Sequence, residues 1–213
     1  LWSRYRTLFV TVSVLAGAAA VLLAACNGPF ISLWTQGRFA WPARNDVLLG
    51  LWLVVLTEQC CHNSLIICLK QIGWLKYAYI LEGLLFAGVS LALLPVAGMT
   101  GMLVCSVLAT FLFTWLAGTW RVAALLGGRL RPLLWEMHLP LWRVLGLLVP
   151  CALAVTWALR NAPDWLRFGL GGGTLGLVAA WALARFALPR ALIAELITKL
   201  PAPLQRPVLL ASR

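Results

Sequence analysis

The stretch Thr57-Glu58-Gln59-Cys60-Cys61-His62-Asn63-Ser64 carries a carboxylate, an imidazole and two amides inside an apolar run that extends from Val47 to Leu69. Each helical residue advances by about 100°. That step gathers Glu58, Gln59, His62 and Asn63 on one arc and leaves the small residues Thr57, Cys60, Cys61 and Ser64 on the opposite one. Glu58 and His62 are four apart and able to touch. A charged group at the bilayer centre costs about 2.5–3.5 kcal/mol on insertion scales. The polar arc is therefore expected to line a hydrated passage or cavity, and the small arc to meet a neighbouring helix. Glu82 adds a second carboxylate on the next apolar segment. Counted from Lys76 and Lys70, Glu82 lies about 9 Å and His62 about 12 Å from the same end. Glu58, His62 and Glu82 then read as a ladder of titratable groups with Glu58 nearest the midplane, a layout suited to coupling by a proton or another cation. The plainer reading is a static Glu58–His62 pair that fixes helix register, with Glu82 snorkelling to the near interface.

Other chemistries find less support. Cys60, Cys61 and His62 are adjacent and point in different directions on a helix, whereas zinc needs convergent ligands; no metal and no cofactor is expected. The six cysteines lie in or beside apolar segments without a CxxC pair, and read as small apolar fillers. The six Asp and Glu residues are scattered, with Asp46 and Asp164 read as isolated turn or cap residues. A membrane-embedded transferase would need an acidic motif, so the chain is not read as an enzyme.

The elements that position the polar arc follow from composition. The 213 residues are 62% hydrophobic and 11% charged, where soluble domains run nearer a quarter charged. Continuous apolar runs, rather than alternating ten-residue strands, exclude a β-barrel. The fold class is all-α, a polytopic membrane protein. Six segments approach the ~20 residues a spanning helix needs: 8–26, 47–69, 77–95, 99–120, 141–159 and 166–188. The join between the third and fourth is short, so the two should form a tight antiparallel hairpin. Arg38, Arg44, Arg160 and Arg167 fall on one side of these spans and all other Lys and Arg residues on the other. By the positive-inside rule both ends of the segment are cytoplasmic. The net charge of +11 is thus explained by topology, and a nucleic-acid partner is excluded because no basic patch lies on a polar domain.

Most of the 12 tryptophans lie near predicted helix ends, as interfacial anchors do. Trp52, Trp115, Trp157 and Trp181 lie deeper, where stacking on a sugar is the sharper alternative. Residues 121–140 are too charged to span and suggest an interfacial helix broken at Gly127–Gly128 and Pro132. Residues 189–213 read as a cytoplasmic amphipathic tail. Gly169 and Gly173, and Gly172 and Gly176, are spaced for close helix packing. The chain opens Leu1-Trp2-Ser3-Arg4, without a methionine or a signal-peptide layout, and reads as the continuation of a longer protein.

Residues 27–55, NGPFISLWTQGRFAWPARNDVLLGLWLVV, combine an Asn/Pro opening, Trp-Thr-x-Gly and a descent into the next helix. This passage resembles the second half of polysaccharide (O-antigen) flippases of the multidrug/oligosaccharidyl-lipid/polysaccharide exporter superfamily. The following IGWLKYAYILEGLL resembles the same proteins' cytoplasmic turn and next helix, and SRYRTLF resembles the basic stretch before their seventh helix. The resemblance covers roughly the whole chain as a pattern of hydropathy and turns. It implies one six-helix lobe of a two-lobed transporter, with a partner N-terminal lobe. Such a transporter moves a lipid-linked oligosaccharide across the bacterial inner membrane for cell-surface polysaccharide (lipopolysaccharide) biosynthesis. A cation-coupled multidrug antiporter of the same superfamily is the alternative, with a proton or sodium as coupling ion. The resemblance brings no binding residue with it; Glu58, Gln59, His62, Asn63 and Glu82 are candidates from their own position. Arg38 and Arg44, in the extracytoplasmic loop, are candidates for attracting an anionic headgroup.

Overall fold

The structure, a computed structural model, describes residues 1–39, 41–127 and 130–186. It is all-helical among these residues. Five helices are long and apolar enough to cross a membrane: α1 (Trp2–Thr35), α2 (Ala43–Cys68), α3 (Leu75–Leu125), α4 (Leu134–Ala158) and α5 (Asp164–Phe186). The predicted amphipathic tail, 189–213, lies outside the described residues.

Three boundaries differ from the sequence expectation. First, α1 does not stop at Cys26. Its 34 residues run through Pro29 to Thr35, about 51 Å at 1.5 Å per residue, longer than the ~30 Å apolar core of a bilayer. The helix ends at Thr35 because Gln36 adopts the left-handed conformation (φ 53°, ψ 39°) and the cap N–H groups bond back to Leu33 O and Ser32 O. Second, α3 is one helical run of 51 residues that reverses at Gly98 (φ 55°, ψ −145°), a backbone region open essentially to glycine. Thr110 Oγ1 donates to Glu82 Oε1 at 2.8 Å. In a straight helix these residues would be about 42 Å apart, so the arms 75–97 and 99–125 lie antiparallel. Third, residues 121–140 are not one interfacial helix. α3 continues to Leu125, and the chain turns at Gly127. A π-helical turn at Pro132–Glu136 then leads into the regular part of α4 (Leu139–Ala158). Met137 and His138 are buried, so this connection folds back under the bundle.

Two apolar clusters hold the helices. Val14, Ala18 and Val21 of α1 meet Leu141, Val144, Leu148 and Ala152 of α4 and Leu175, Ala179 and Ala182 of α5. Within each helix the spacing is three or four, the period of one buried face. A second cluster joins Tyr5, Phe9, Cys61, Leu65, Ile66, Leu75, Val122, Ala123 and Met137. It closes the end of the bundle where the chain starts and where α2 passes into α3. Two glycines permit close helix contacts: a Cβ at Gly50 would come 3.2 Å from Ala20 Cβ and its backbone O, and one at Gly118 would come 3.1 Å from His62 Cβ. The predicted glycine repeat is used only in part. Gly172 faces Cys26 Sγ, while Gly169, Gly173 and Gly176 face nothing within 4 Å. Trp34, Trp120, Trp135, Trp142 and Trp165 are exposed on the outer surface, as apolar anchors with a polar edge should be. Trp157 and Trp181, read as deep, are also exposed.

Candidate functional site

The polar turn of α2 points into the bundle. Glu58, Gln59, His62 and Asn63 are all buried, with Glu58 only 2% and His62 0% exposed. The opposite arc is split: Cys61 enters the second core cluster, whereas Cys60 and Ser64 are exposed. The expected contact of that small arc with a neighbouring helix is therefore made by Cys61 alone of the three. All six cysteines are free.

Glu58 takes two donors on one oxygen. Trp115 Nε1 donates to Glu58 Oε2 at 2.8 Å, and His138 Nε2 lies 3.1 Å from the same atom. Glu58 Oε1, also buried, finds no donor. His62 has separate partners: Tyr5 OH at 2.6 Å on Nδ1 and Thr119 Oγ1 at 3.0 Å on Nε2. Thr119 Oγ1 also donates to Trp115 O at 2.8 Å. A hydroxyl has a single hydrogen. With that hydrogen on Trp115 O, His62 Nε2–H donates to Thr119, and Tyr5 OH donates to an unprotonated Nδ1. This assignment satisfies every group around a neutral imidazole. Phe9 lies between the two histidines, stacked on His62 (5.2 Å between centroids) and edge-on to His138 (5.3 Å).

The expected ladder is therefore arranged differently. Glu58 and His62 do not form an ion pair within 4.0 Å; the partner of Glu58 is His138. Glu82 does not reach His62. Its Oε1 accepts from Thr110, and its buried Oε2 finds no donor. Gln59 and Asn63 turn toward the first arm of α3, where Asn63 Nδ2 donates to Tyr79 OH at 2.5 Å. Glu58 is level with Phe9 of α1 and with His138, just before the regular part of α4, and α2 runs ten residues past it toward the end closed by the second core cluster. The arc is enclosed by aromatic side chains where an open passage was expected.

Local structure explains how the donors are presented. Thr110 and Trp115 are the first and last residues of a π-helical turn in α3, Thr110–Trp115. Thr114 Oγ1 bonds Thr110 O and Thr119 Oγ1 bonds Trp115 O, and such back-bonding hydroxyls loosen the regular ladder. The wide turn aims Thr110 at Glu82 and Trp115 at Glu58. π-turns of this kind are frequent at functional sites.

Sequence reasoning picked out Trp115 by depth but missed His138, Tyr5, Thr110 and Thr119. His138 lies inside the charged segment 121–140 and is one of only two histidines in the chain. The scarcity of histidine in the chain is the signal that could have pointed to the second imidazole.

The opposite end of the bundle holds further polar contacts. Asp46 is buried and its Oδ1 accepts from Asn27 Nδ2 at 2.5 Å and Trp41 Nε1 at 2.6 Å. Thr100 Oγ1 donates to buried Asn45 at 2.8 Å. Asp164 accepts from Ser32 at 2.6 Å and from Arg167 at 3.1 Å. Asp46 and Asp164 are thus joints between elements rather than isolated cap residues. Arg38 and Arg44 lie at this end and are exposed. Among the described residues no group of three His, Cys, Asp or Glu is placed to hold a metal.

Comparison with family models, with curated proteins and with solved structures finds no significant match for this chain.

Proposed function

We propose that the chain is one lobe of a transporter that moves a lipid-linked oligosaccharide across the bacterial inner membrane, driven by a proton or sodium ion. The lobe crosses the membrane six times, with the arms of α3 counted separately, and its two ends are cytoplasmic. It works with a second lobe, because a single bundle of this size encloses its polar groups tightly and leaves the substrate path to the face between lobes. The observation that carries the reading is the set of buried oxygens without donors: Glu58 Oε1, Gln59 Oε1, Asn63 Oδ1 and Glu82 Oε2. All four are acceptors on α2 and α3, and acceptors are what a proton or a metal cation binds. Ionisable groups at this depth in a membrane helix are functional by default.

The mechanism follows from the bonds at Glu58. A proton on Oε1 removes the negative charge and weakens the hold on His138 Nε2 and Trp115 Nε1. Those two donors sit at the start of α4 and in the π-turn of α3, so loading or unloading Glu58 biases how both elements pack against α2. Coupling needs such a two-state element whose states differ in affinity for the ion. The flippase class, rather than a drug antiporter, is favoured by the pattern of residues 27–55. Within it Asp46 ties Asn27 to Trp41 and gives that passage a fixed shape.

Deleting the gene tests the reading. Oligosaccharide attached to its lipid carrier should accumulate on the cytoplasmic leaflet, and a plasmid copy with Glu58→Gln should fail to clear it while Glu58→Asp clears part. Normal surface polysaccharide in the deletion strain would end the flippase reading.

A further inference from the structure

Where α2 passes into α3, a groove of about 460 Å³ is lined by Lys70, Gln71, Gly73, Trp74, Ala117, Trp120 and Arg121. Among the described residues no carboxylate lines it. We propose that this groove binds a phosphate group, either that of an anionic phospholipid or that of a small soluble phosphomonoester. The inference stands apart from the transport reading, since none of these residues is a hydrogen-bond partner of Glu58 or His62.

Four observations carry it. First, the groove contributes two cationic side chains, Lys70 and Arg121. Arg121 is fixed in place, with Nη2 donating to Gln71 Oε1 at 3.0 Å. Second, two donors that reach this region have no acceptor in the protein: Arg121 Nε and Trp74 Nε1, both buried atoms. A guanidinium held by one edge presents its remaining N–H groups in the fork that suits phosphate oxygens. Third, Lys70 occupies the left-handed region (φ 57°) in the turn that closes α2, with Gln71 N bonded to Ile66 O. Glycine is the residue at ease in that cap position. A lysine there is strained locally, and the two cap bonds, Lys70 N–H to Ile67 O and Gln71 N–H to Ile66 O, hold it at the rim of the groove. Fourth, α3 starts at the groove, with Trp74 as its cap residue, and the positive end of a helix dipole favours an anion. The volume falls within the range of small-ligand sites. Exposed Trp120 gives the mouth an apolar edge on which a lipid chain can lie.

The test uses the full chain in nanodiscs or mild detergent, read by native mass spectrometry with phosphatidic acid and phosphatidylcholine as probes. The parent chain should retain phosphatidic acid in preference. Lys70→Gly should weaken that retention by about tenfold while its melting temperature stays level or rises, because the strained residue is gone. Arg121→Gln should weaken it similarly, and Lys76→Gln, whose side chain does not line the groove, should leave it unchanged. Millimolar glycerol phosphate assigns the source: displacement of the lipid means that the phosphate alone suffices, and retention means that the lipid's chains take part. Equal retention of the two lipids by the parent chain, or undiminished phosphatidic acid binding by the Lys70→Gly/Arg121→Gln double variant, overturns the proposal.

Discussion

The two ends of the bundle leave their buried carboxylates satisfied to different degrees. At one end Asp46 accepts from Asn27 and Trp41, and its neighbours Asn45 and Thr100 bond each other. None of these groups leaves a buried polar atom unpaired. At the other end Glu58, like Asp46, takes both donors on a single oxygen, but its second oxygen is buried without a donor, and Gln59, Asn63 and Glu82 each leave an oxygen in the same condition. Orphaned buried acceptors cost about 1–3 kcal/mol each, so a purely structural cluster has reason to satisfy them. The Asp46 end behaves as a joint: it fixes where α1, α2 and the loop between them meet. The Glu58 end keeps unfilled acceptors beside two imidazoles and a π-turn, which the Asp46 end does not.

Substitutions break or sharpen that contrast. The largest stability effect should come from Asp46→Ala, which strands the donors of Asn27 and Trp41; each left unpaired costs about 1–3 kcal/mol. The chain should melt at a lower temperature in detergent. Glu58→Gln, which keeps an oxygen for Trp115, should by comparison lower stability by only about 1 kcal/mol, measured in the same melt. A reversal of that order would show Glu58 to be the joint and Asp46 the dispensable group. Tyr5→Phe removes one hydroxyl from His62 Nδ1 and leaves the ring packing of Phe9 intact; a loss near 1 kcal/mol is expected. The smallest effect should be that of Cys60→Ser on the exposed arc of α2, within about 0.5 kcal/mol. A clear destabilisation there would mean that the exposed arc is covered by another element.

Much of this contrast was legible in the residues. The 3.6-residue period separates Glu58, Gln59, His62 and Asn63 from Cys60 and Ser64, and burial follows that division. Cys61 departs from it because the second core cluster closes over its side of α2. The ends of helices were less legible. Asn27-Gly28-Pro29 looks like a turn, yet α1 passes through it. Proline removes only one backbone donor, and Asn27 has a use for its side chain in the bond to Asp46. Residues 121–140 look amphipathic because their leucines are spaced for a surface. The fold instead uses Met137 and His138 to fill the base of the bundle.

The pairing of Glu58 illustrates the limit. Spacing along one helix shows that Glu58 and His62 can meet, but a buried acid bonds whichever donor the surrounding helices bring closest. Here those donors are Trp115 and His138, 57 and 80 residues away in the chain.

The sequence by itself determined that the protein is a bundle of apolar helices and that one turn of α2 must hide a carboxylate and an imidazole. Both follow from the cost of placing charge in hydrocarbon, which depends only on residue type and helical period. Which donors serve Glu58 and which oxygens go without a partner were decided by the tertiary structure. Those outcomes depend on where α1, α3 and α4 start and bend relative to α2, and long-range packing sets that.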